Sequence, residues 1–168
     1  MVLFVSEQGR FQTWLPTAGE IVQYTVSQTF FGKPTECSAV FSRLNSAGVV
    51  VQYCDLAWED LGSRSPQEVL DEARMLLKQH FHFKIDEEQR EIVPGSYPVM
   101  TLAGEANMRG LGYDGTFKAR ILLAQDRVYF IHMRVYEMDW CNCRHQMNQV
   151  VDSFHVDPGI SIPFEPTP

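Results

Sequence analysis

The densest group of potential metal-binding side chains lies at residues 139–145, in the stretch DWCNCRH. Cys141, Cys143 and His145 place two thiols and an imidazole close together, and such groups bind soft metals or take part in thiol redox chemistry. A tetrahedral zinc site needs about four ligands, and the other histidines lie far away in the sequence. The stretch therefore predicts a metal- or redox-responsive protein only if it forms a loop that wraps around an ion.

The surrounding pattern favours a helix over residues 140–154 instead, with Asp139 available as a cap. The buried stripe of this helix would consist of Met147, Val150, Val151 and Phe154. At about 100° per residue, Cys143 falls on the buried side, whereas Cys141 and His145 fall on the opposite side. On this prediction the group is a core cysteine beside an exposed Cys/His pair, and it is not a metal site.

The other two cysteines, Cys37 and Cys54, flank a hairpin turn with the sequence NSAG. A turn centred between Ser46 and Ala47 places Cys54 opposite Ala39, one diagonal step from Cys37 on the same face. That diagonal separation, about 7 to 8 Å, is at the limit of what a disulfide tolerates. We therefore expect two buried free thiols.

The remaining histidines and glycines form no catalytic group. His80 and His82, in HFHF, resemble a ligand pair, but they close a predicted helix, and His132 lies in the middle of a strand, where a structural histidine with satisfied hydrogen bonds is expected. A glycine-rich phosphate-binding loop needs a helix after it, and GLGYDG at 110–115 has none. This stretch therefore predicts a hairpin turn. No nucleophile elbow, phosphate loop or HExxH motif is present, and the sequence predicts neither an enzyme nor a cofactor.

Two helices and seven strands account for most of the chain. The first helix is SPQEVLDEARMLLKQHF, in which Ser65 is the N-cap, Pro66 suits the first turn and Glu68 completes a capping box. Its expected buried side chains are Val69, Ala73, Leu76, Leu77 and His80. The expected strands are residues 20–31, 35–44, 49–56, 83–93, 97–109, 115–124 and 127–137. Short turns, NSAG and AQDR, join some of them directly, which predicts an α+β fold with a largely antiparallel sheet of about six or seven strands and flanking helices.

Composition limits the partners. The 168 residues have 45% hydrophobic content, enough for one core, and we expect a single domain over residues 1–156 followed by a proline-rich tail at 157–168. A net charge of −7 argues against nucleic acid and anionic membranes, which require a basic surface. No run is long enough to span a bilayer, so we expect a soluble chain without a transmembrane segment. The compartment stays open: cytoplasmic as the chain stands, or exported if a native signal was removed.

Four aromatic residues are candidate contacts for a protein partner: Trp14, the Phe30–Phe31 pair, and Trp58 in the acidic stretch DLAWEDLG. That stretch is typical of a solvated connection, in which an exposed tryptophan would be a partner anchor. Core packing is expected for at least half of the four.

The order of the segments resembles the PsbP/Mog1-like superfamily and its uncharacterised bacterial relatives, over about residues 10–156. The resemblance is carried by FQTWLP, FFGKPTECSAVF, VVVQYCDL, SPQEVLDEARMLL, REIVPGSYPVMTLAGEA, FKARILLAQDRVYFIHM and QVVDSFHV. Its most telling parts are the Tyr97-Pro98 step, the RILL…DRVYFI hairpin and the final D-S-F. It implies an antiparallel sheet with helices packed on it, an α/β/α sandwich, in proteins usually without catalysis.

Known members of that superfamily include an extrinsic subunit of photosystem II, a Ran-binding nuclear-transport factor, bacterial lipoproteins and chaperone-like proteins for secreted effectors. No binding residues of these members match a motif here, and a fold does not fix a function. The sequence thus predicts a non-catalytic domain that binds another protein, at the cell envelope or in export. Two alternatives stay open: the metal- or redox-responsive protein using residues 141–145, and a carrier that holds a small ligand between sheet and helix.

Overall fold

The computed structural model describes residues 1–16, 21–44, 47–93, 97–107, 112 and 114–156, with the backbone alone at positions 44, 93, 138 and 140. The strands are β1 (Val2–Ser6), β2 (Phe11–Leu15), β3 (Ile21–Phe30), β4 (Lys33–Leu44), β5 (Ala47–Asp55), β6 (Phe83–Val93), β7 (Tyr97–Ala106), β8 (Gly115–Ala124), β9 (Arg127–Tyr136) and β10 (His155–Val156). The helices are α1 (Trp58–Leu61), α2 (Pro66–Phe81) and α3 (Trp140–Asp152), and a 3-10 turn, Glu137–Asp139, precedes α3. The proline-rich tail and half of GLGYDG lie outside the described residues.

The strands form two antiparallel sheets, which confirms the predicted α+β class. The larger sheet has seven strands in the order β3-β4-β5-β9-β8-β7-β6, and the smaller has three in the order β1-β2-β10. All seven predicted strands are present in the larger sheet, with ends that differ by a few residues. Five of its strands pair with their neighbours in the sequence, as β3-β4-β5 and β8-β9, because short turns favour antiparallel neighbours.

Side chains alternate along the central strands, so the large sheet has a hydrophobic core on each face. In β9, Tyr129 and Ile131 belong to a core closed by α3 and the small sheet, whereas Val128 and Phe130 belong to a core closed by α2. Both faces of β5 and β9 are largely buried, which explains why these two strands read as almost continuous apolar runs. Strand β8 alternates over its first half, where Thr116, Lys118 and Arg120 are half-buried.

Helix α2 begins as the sequence predicts. The Ser65 hydroxyl accepts the Glu68 N–H, and the Glu68 carboxylate accepts the Ser65 N–H at 2.7 Å, which completes the capping box. Its buried side chains are Val69, Leu70, Ala73 and Leu77. The expectation that His80 is buried is wrong: it is exposed near the end of the helix, and Leu70 packs in the core instead.

The hairpin between β4 and β5 has a different register from the one expected. Leu44 pairs with Ala47, which centres the turn one residue earlier, so Cys37 and not Ala39 lies opposite Cys54. The two Cα atoms are 4.4 Å apart and the cysteines form a disulfide. The prediction of two free thiols is therefore wrong, because the position of the turn decides which pair faces each other.

The acidic stretch DLAWEDLG was expected to be an open connection, and part of it forms the single-turn helix α1. Helix α3 confirms the predicted second helix, although it ends at Asp152, two residues early. Asp139 stands at its N-cap without a side-chain capping bond. The stripe of Met147, Val150, Val151 and Phe154 is buried, as predicted.

Candidate functional site

The Cys/His group lies on α3 and its members face apart. Cys143 is buried at 9% exposure, while Cys141 and His145 are exposed. Burial raises the pKa of the Cys143 thiol, with a further increase from the charge of Asp139. Within the described ranges, no three His, Cys, Asp or Glu side chains are grouped closely enough to hold a metal ion. The helix therefore separates the side chains that a wrapping loop would have brought together.

For the buried histidine His132, the structure corrects the prediction made from the sequence. It is fully buried in β9, and neither ring nitrogen has a hydrogen-bond partner among the residues the structure describes, so the expectation of satisfied hydrogen bonds is wrong. Its ring packs on Phe81, 4.2 Å between centroids, and edge-on to Phe83. Burial holds the pKa of His132 well below its usual value, and the charges of Arg134 and His80 lower it further. The imidazole is enclosed by aromatic rings and is a structural group.

Of the four aromatic candidates, one side chain is buried, one is half-buried and two are exposed. Phe30 is in the core at 2% exposure, and Phe31 is half-buried beneath the guanidinium of Arg64, 3.8 Å from its ring centroid. Trp58 is 69% exposed and Trp14 is 37% exposed. The two tryptophans are therefore the side chains available to a partner.

Trp58 stands alone on a short helix with charged neighbours. Lys33 forms an ion pair with Asp60, and this bond raises the pKa of Lys33. The Arg64 Nε donates to the Asp60 carbonyl at 3.0 Å. The Lys33–Asp60 pair links α1 to the start of β4. No other large apolar side chain within the described ranges is exposed on α1. A single exposed apolar residue is ordinary on a protein surface and identifies no site by itself.

Trp14 belongs instead to a group of three exposed apolar side chains on the small sheet. In β2, alternation buries Phe11, Thr13 and Leu15 and turns Trp14 outward. Leu3 pairs directly opposite Trp14, and Val5 lies diagonally across from it. Leu3 is 46% exposed and Val5 is 57% exposed. We call these three residues the Trp14 patch.

Hydrogen bonds to the end of α3 hold the Trp14 patch in place. The Trp14 N–H donates to the Ser153 hydroxyl at 3.0 Å, and the Thr13 hydroxyl donates to the Val150 carbonyl at 2.9 Å. Strand β10 pairs with the other side of β2. Beneath the patch, Phe11 packs against Phe154 with centroids 5.4 Å apart. The patch is thus a preformed surface on a packed base.

A charged groove lies beside α3 on the large sheet. Two adjoining cavities of about 540 and 400 Å³ lie along β7, between α3 and edge strand β6. Lys118, on their wall, donates to Asn148 at 3.0 Å and to Asp152 at 2.8 Å, and Arg120 lies between Asp152 and Glu91. Small-molecule sites are mostly apolar. This groove has paired charges, and its chemistry does not favour a carrier of apolar ligands.

Comparison with known proteins places the fold. No protein-family model and no curated protein matches this sequence. The solution structure of cyanobacterial PsbP (CyanoP) from Synechocystis sp. PCC 6803 matches with a TM-score of 0.62 and 12% identity, over 92% of this chain and 91% of that one. PA94, a protein of unknown function from Pseudomonas aeruginosa, matches with a TM-score of 0.45 and 13% identity, over 89% of this chain and 92% of that one.

The likeness to CyanoP shows that this chain has a PsbP-like α+β fold, as the sequence resemblance implies. At 12% identity it concerns the fold alone. No helix among the described residues is long and apolar enough to cross a membrane.

Proposed function

We propose that this chain is a non-catalytic domain that binds another protein through the Trp14 patch. The observation that carries the proposal is the side-by-side exposure of Leu3, Val5 and Trp14 on one face of the small sheet. Contiguous exposed apolar side chains on a folded monomer are typical of interaction sites, because leaving them in water has a free-energy cost.

The outer face of the small sheet supports a partner surface without strong charge. Gln12 and His155 are the cross-strand neighbours on this face, and none of the five described side chains there is Asp, Glu, Lys or Arg. The chain as a whole carries a net charge of −7, so this face differs from the average surface. A partner that presents apolar side chains without a strong charge fits it, with Trp14 as the central anchor.

Two observations support a role without catalysis. His132, whose pKa is held well below its usual value, is enclosed and lines neither cavity of the groove along β7. The cations of the β7 groove, Lys118 and Arg120, lie next to carboxylates of the same chain. An acid–base or nucleophilic site requires a reactive group that a substrate can reach.

Affinity capture with matched variants tests the proposal. Wild-type chain, Leu3→Gln, Trp14→Gln and the control Trp58→Gln are immobilised and exposed to a native cell lysate, and the recovered proteins are quantified by mass spectrometry. A true partner is recovered about thirtyfold less with Trp14→Gln, since removing a central tryptophan costs about 2 kcal/mol or more. Leu3→Gln also reduces the recovery of that protein, and Trp58→Gln leaves its recovery unchanged.

Two results would oppose the proposal. Recovery of every bound protein by both patch variants at the wild-type level would remove the Trp14 patch as a protein-binding site. Binding of the wild type, but not the patch variants, to neutral phosphatidylcholine vesicles would assign the patch to a lipid surface. Urea unfolding of each variant is the control for folding, because exposed substitutions should change stability by only about 0.5 kcal/mol.

A further inference from the structure

The two edges of the seven-stranded sheet have opposite character. Edge strand β6 carries six charged side chains: Lys84, Asp86, Glu87, Glu88, Arg90 and Glu91. Edge strand β3 has the sequence IVQYTVSQTF, ten residues without a charge, a proline or a glycine. Proteins protect exposed edges with charges, prolines or bulges, because the free backbone groups of an edge pair readily with another chain. Strand β6 has this protection and β3 does not.

Strand β3 is also open to solvent. The eight side chains between its two end residues are all exposed or half-exposed, with Val22 at 40% and Tyr24 at 44%. It pairs with β4 on one side, and no strand in the described part of the chain pairs with its other side. Its composition of Ile, Val, Tyr, Thr and Phe is that of a strand inside a sheet.

The disulfide shows which backbone groups of β3 point outward. A Cα separation of 4.4 Å at Cys37–Cys54 is typical of a pair without mutual hydrogen bonds, so the backbone of Cys37 faces β3. Cys37 is paired with Val26, which therefore uses its N–H and carbonyl within the sheet. The alternation then turns the N–H and carbonyl groups of every second residue outward. These are Ile21, Gln23, Thr25, Ser27 and Thr29.

We propose that β3 is the contact between two copies of this chain, which pair antiparallel about a two-fold axis at Thr25. Each outward residue then meets another outward residue: Thr25 meets its own copy, and Gln23 of one chain meets Ser27 of the other. About ten backbone hydrogen bonds result, and the two sheets join into one. This contact uses the backbone edge of β3 and does not depend on the proposed function, although Val5 of the Trp14 patch lines one cavity with Gln23, Tyr24 and Thr25.

The side chains support a second copy as the occupant. A two-fold axis brings a strand opposite itself, so each side chain must tolerate its symmetry-related neighbour. In this register Tyr24 lies opposite Val26 and Thr25 opposite Thr25, both of which are favourable cross-strand pairs. A two-fold axis at Glu87 of β6 would instead place Glu87 opposite its own copy and Glu88 opposite Asp86 of the other chain. The β3 edge, which carries no charge, brings no like charges together in any register.

Sedimentation velocity over a micromolar to several-hundred-micromolar range tests the proposal, on a Cys141→Ser background that excludes covalent pairing through the exposed thiol. The parent protein should reach the mass of two chains. A double variant, Gln23→Lys with Ser27→Lys, creates two like-charge pairs across the axis, whereas Gln23→Lys with Ser27→Asp creates two opposite-charge pairs. We expect the first to dissociate at least about tenfold more readily than the second.

The control Gln89→Lys places the same charge on β6 and should leave the dimer unchanged, since Gln89 is exposed on the opposite edge. A parent protein that keeps the mass of one chain at every concentration overturns the proposal. So does a dimer with the same dissociation constant in both double variants, because the register would then be wrong. A dimer weakened by Gln89→Lys and by neither double variant would assign the contact to β6.

Discussion

His132 should make the stability of this protein depend on pH. The imidazole is fully buried against Phe81 and Phe83, and its pKa in the folded state is well below 6.5. In the unfolded chain the same group takes up a proton near pH 6.5. Below that pH the unfolded state binds a proton that the folded state does not bind, so the free energy of unfolding decreases as the pH falls.

The size of the effect follows from this linkage. The slope approaches about 1.4 kcal/mol per pH unit, so acidification from about pH 7.5 to pH 5 removes about 2 kcal/mol while the folded imidazole stays neutral. That loss is a large part of a typical total of about 5 to 15 kcal/mol. His132→Leu should abolish this component. It should also raise stability at neutral pH, because burying unpaired polar atoms costs about 1 to 3 kcal/mol.

Urea unfolding followed by circular dichroism, at about pH 7.5, 6 and 5, measures both effects. The quantity of interest is the difference between wild type and His132→Leu at each pH, since every other titrating group is common to the two proteins. The difference should grow by about 2 kcal/mol toward pH 5. Parallel pH curves for the two proteins would show that the folded imidazole takes up a proton as easily as the unfolded one, and would refute the reasoning.

Three further predictions concern the disulfide, the helix cap and the free thiols. Replacing Cys37 and Cys54 together with Ala should lower the free energy of unfolding by about 3 kcal/mol, because the bridge closes a loop with a sequence separation of 17; urea unfolding checks this, and an unchanged midpoint contradicts it. Ser65→Ala should cost about 1 kcal/mol in the same assay, and no cost would mean that the capping box is redundant. With a thiol-specific reagent, Cys141 should react rapidly and Cys143 slowly, because Cys143 is buried with a raised pKa; equal rates would place both thiols at the surface.

Sequence reasoning predicted the elements whose signals are local. The α2 capping box at Ser65 and Glu68 and the stripe along α3 are set by residues a few positions apart, and both are confirmed. The class of sheet followed from turns too short to join parallel strands. Helical periodicity is also a local signal, and it correctly placed Cys141 and Cys143 on opposite sides of one helix.

What the sequence missed depends on contacts between distant residues. Cys37 and Cys54 face each other only if the hairpin turn is centred between residues 45 and 46, and a turn one residue later is equally compatible with the pattern. The aromatic enclosure of His132 is made by Phe81 and Phe83, some fifty residues away in the sequence, so no local pattern could reveal its unpaired nitrogens.

One part of the Trp14 patch has a local sequence signal. In FQTWLP the period of a strand puts Phe11, Thr13 and Leu15 on one side and Trp14 on the other. The exposure of Trp14 could thus have been predicted from the alternation. The presence of Leu3 beside it could not, because that depends on how β1 pairs with β2.

Site-specific photocrosslinking at position 14 tests the central claim most directly. A photoreactive phenylalanine analogue replaces Trp14 in one protein and the matched control Trp58 in another, and each is irradiated in living cells. The account predicts a crosslink from position 14 to a different protein, and little or none from position 58. Crosslinks from position 58 alone, or none from position 14 to another protein in a folded chain, would contradict it.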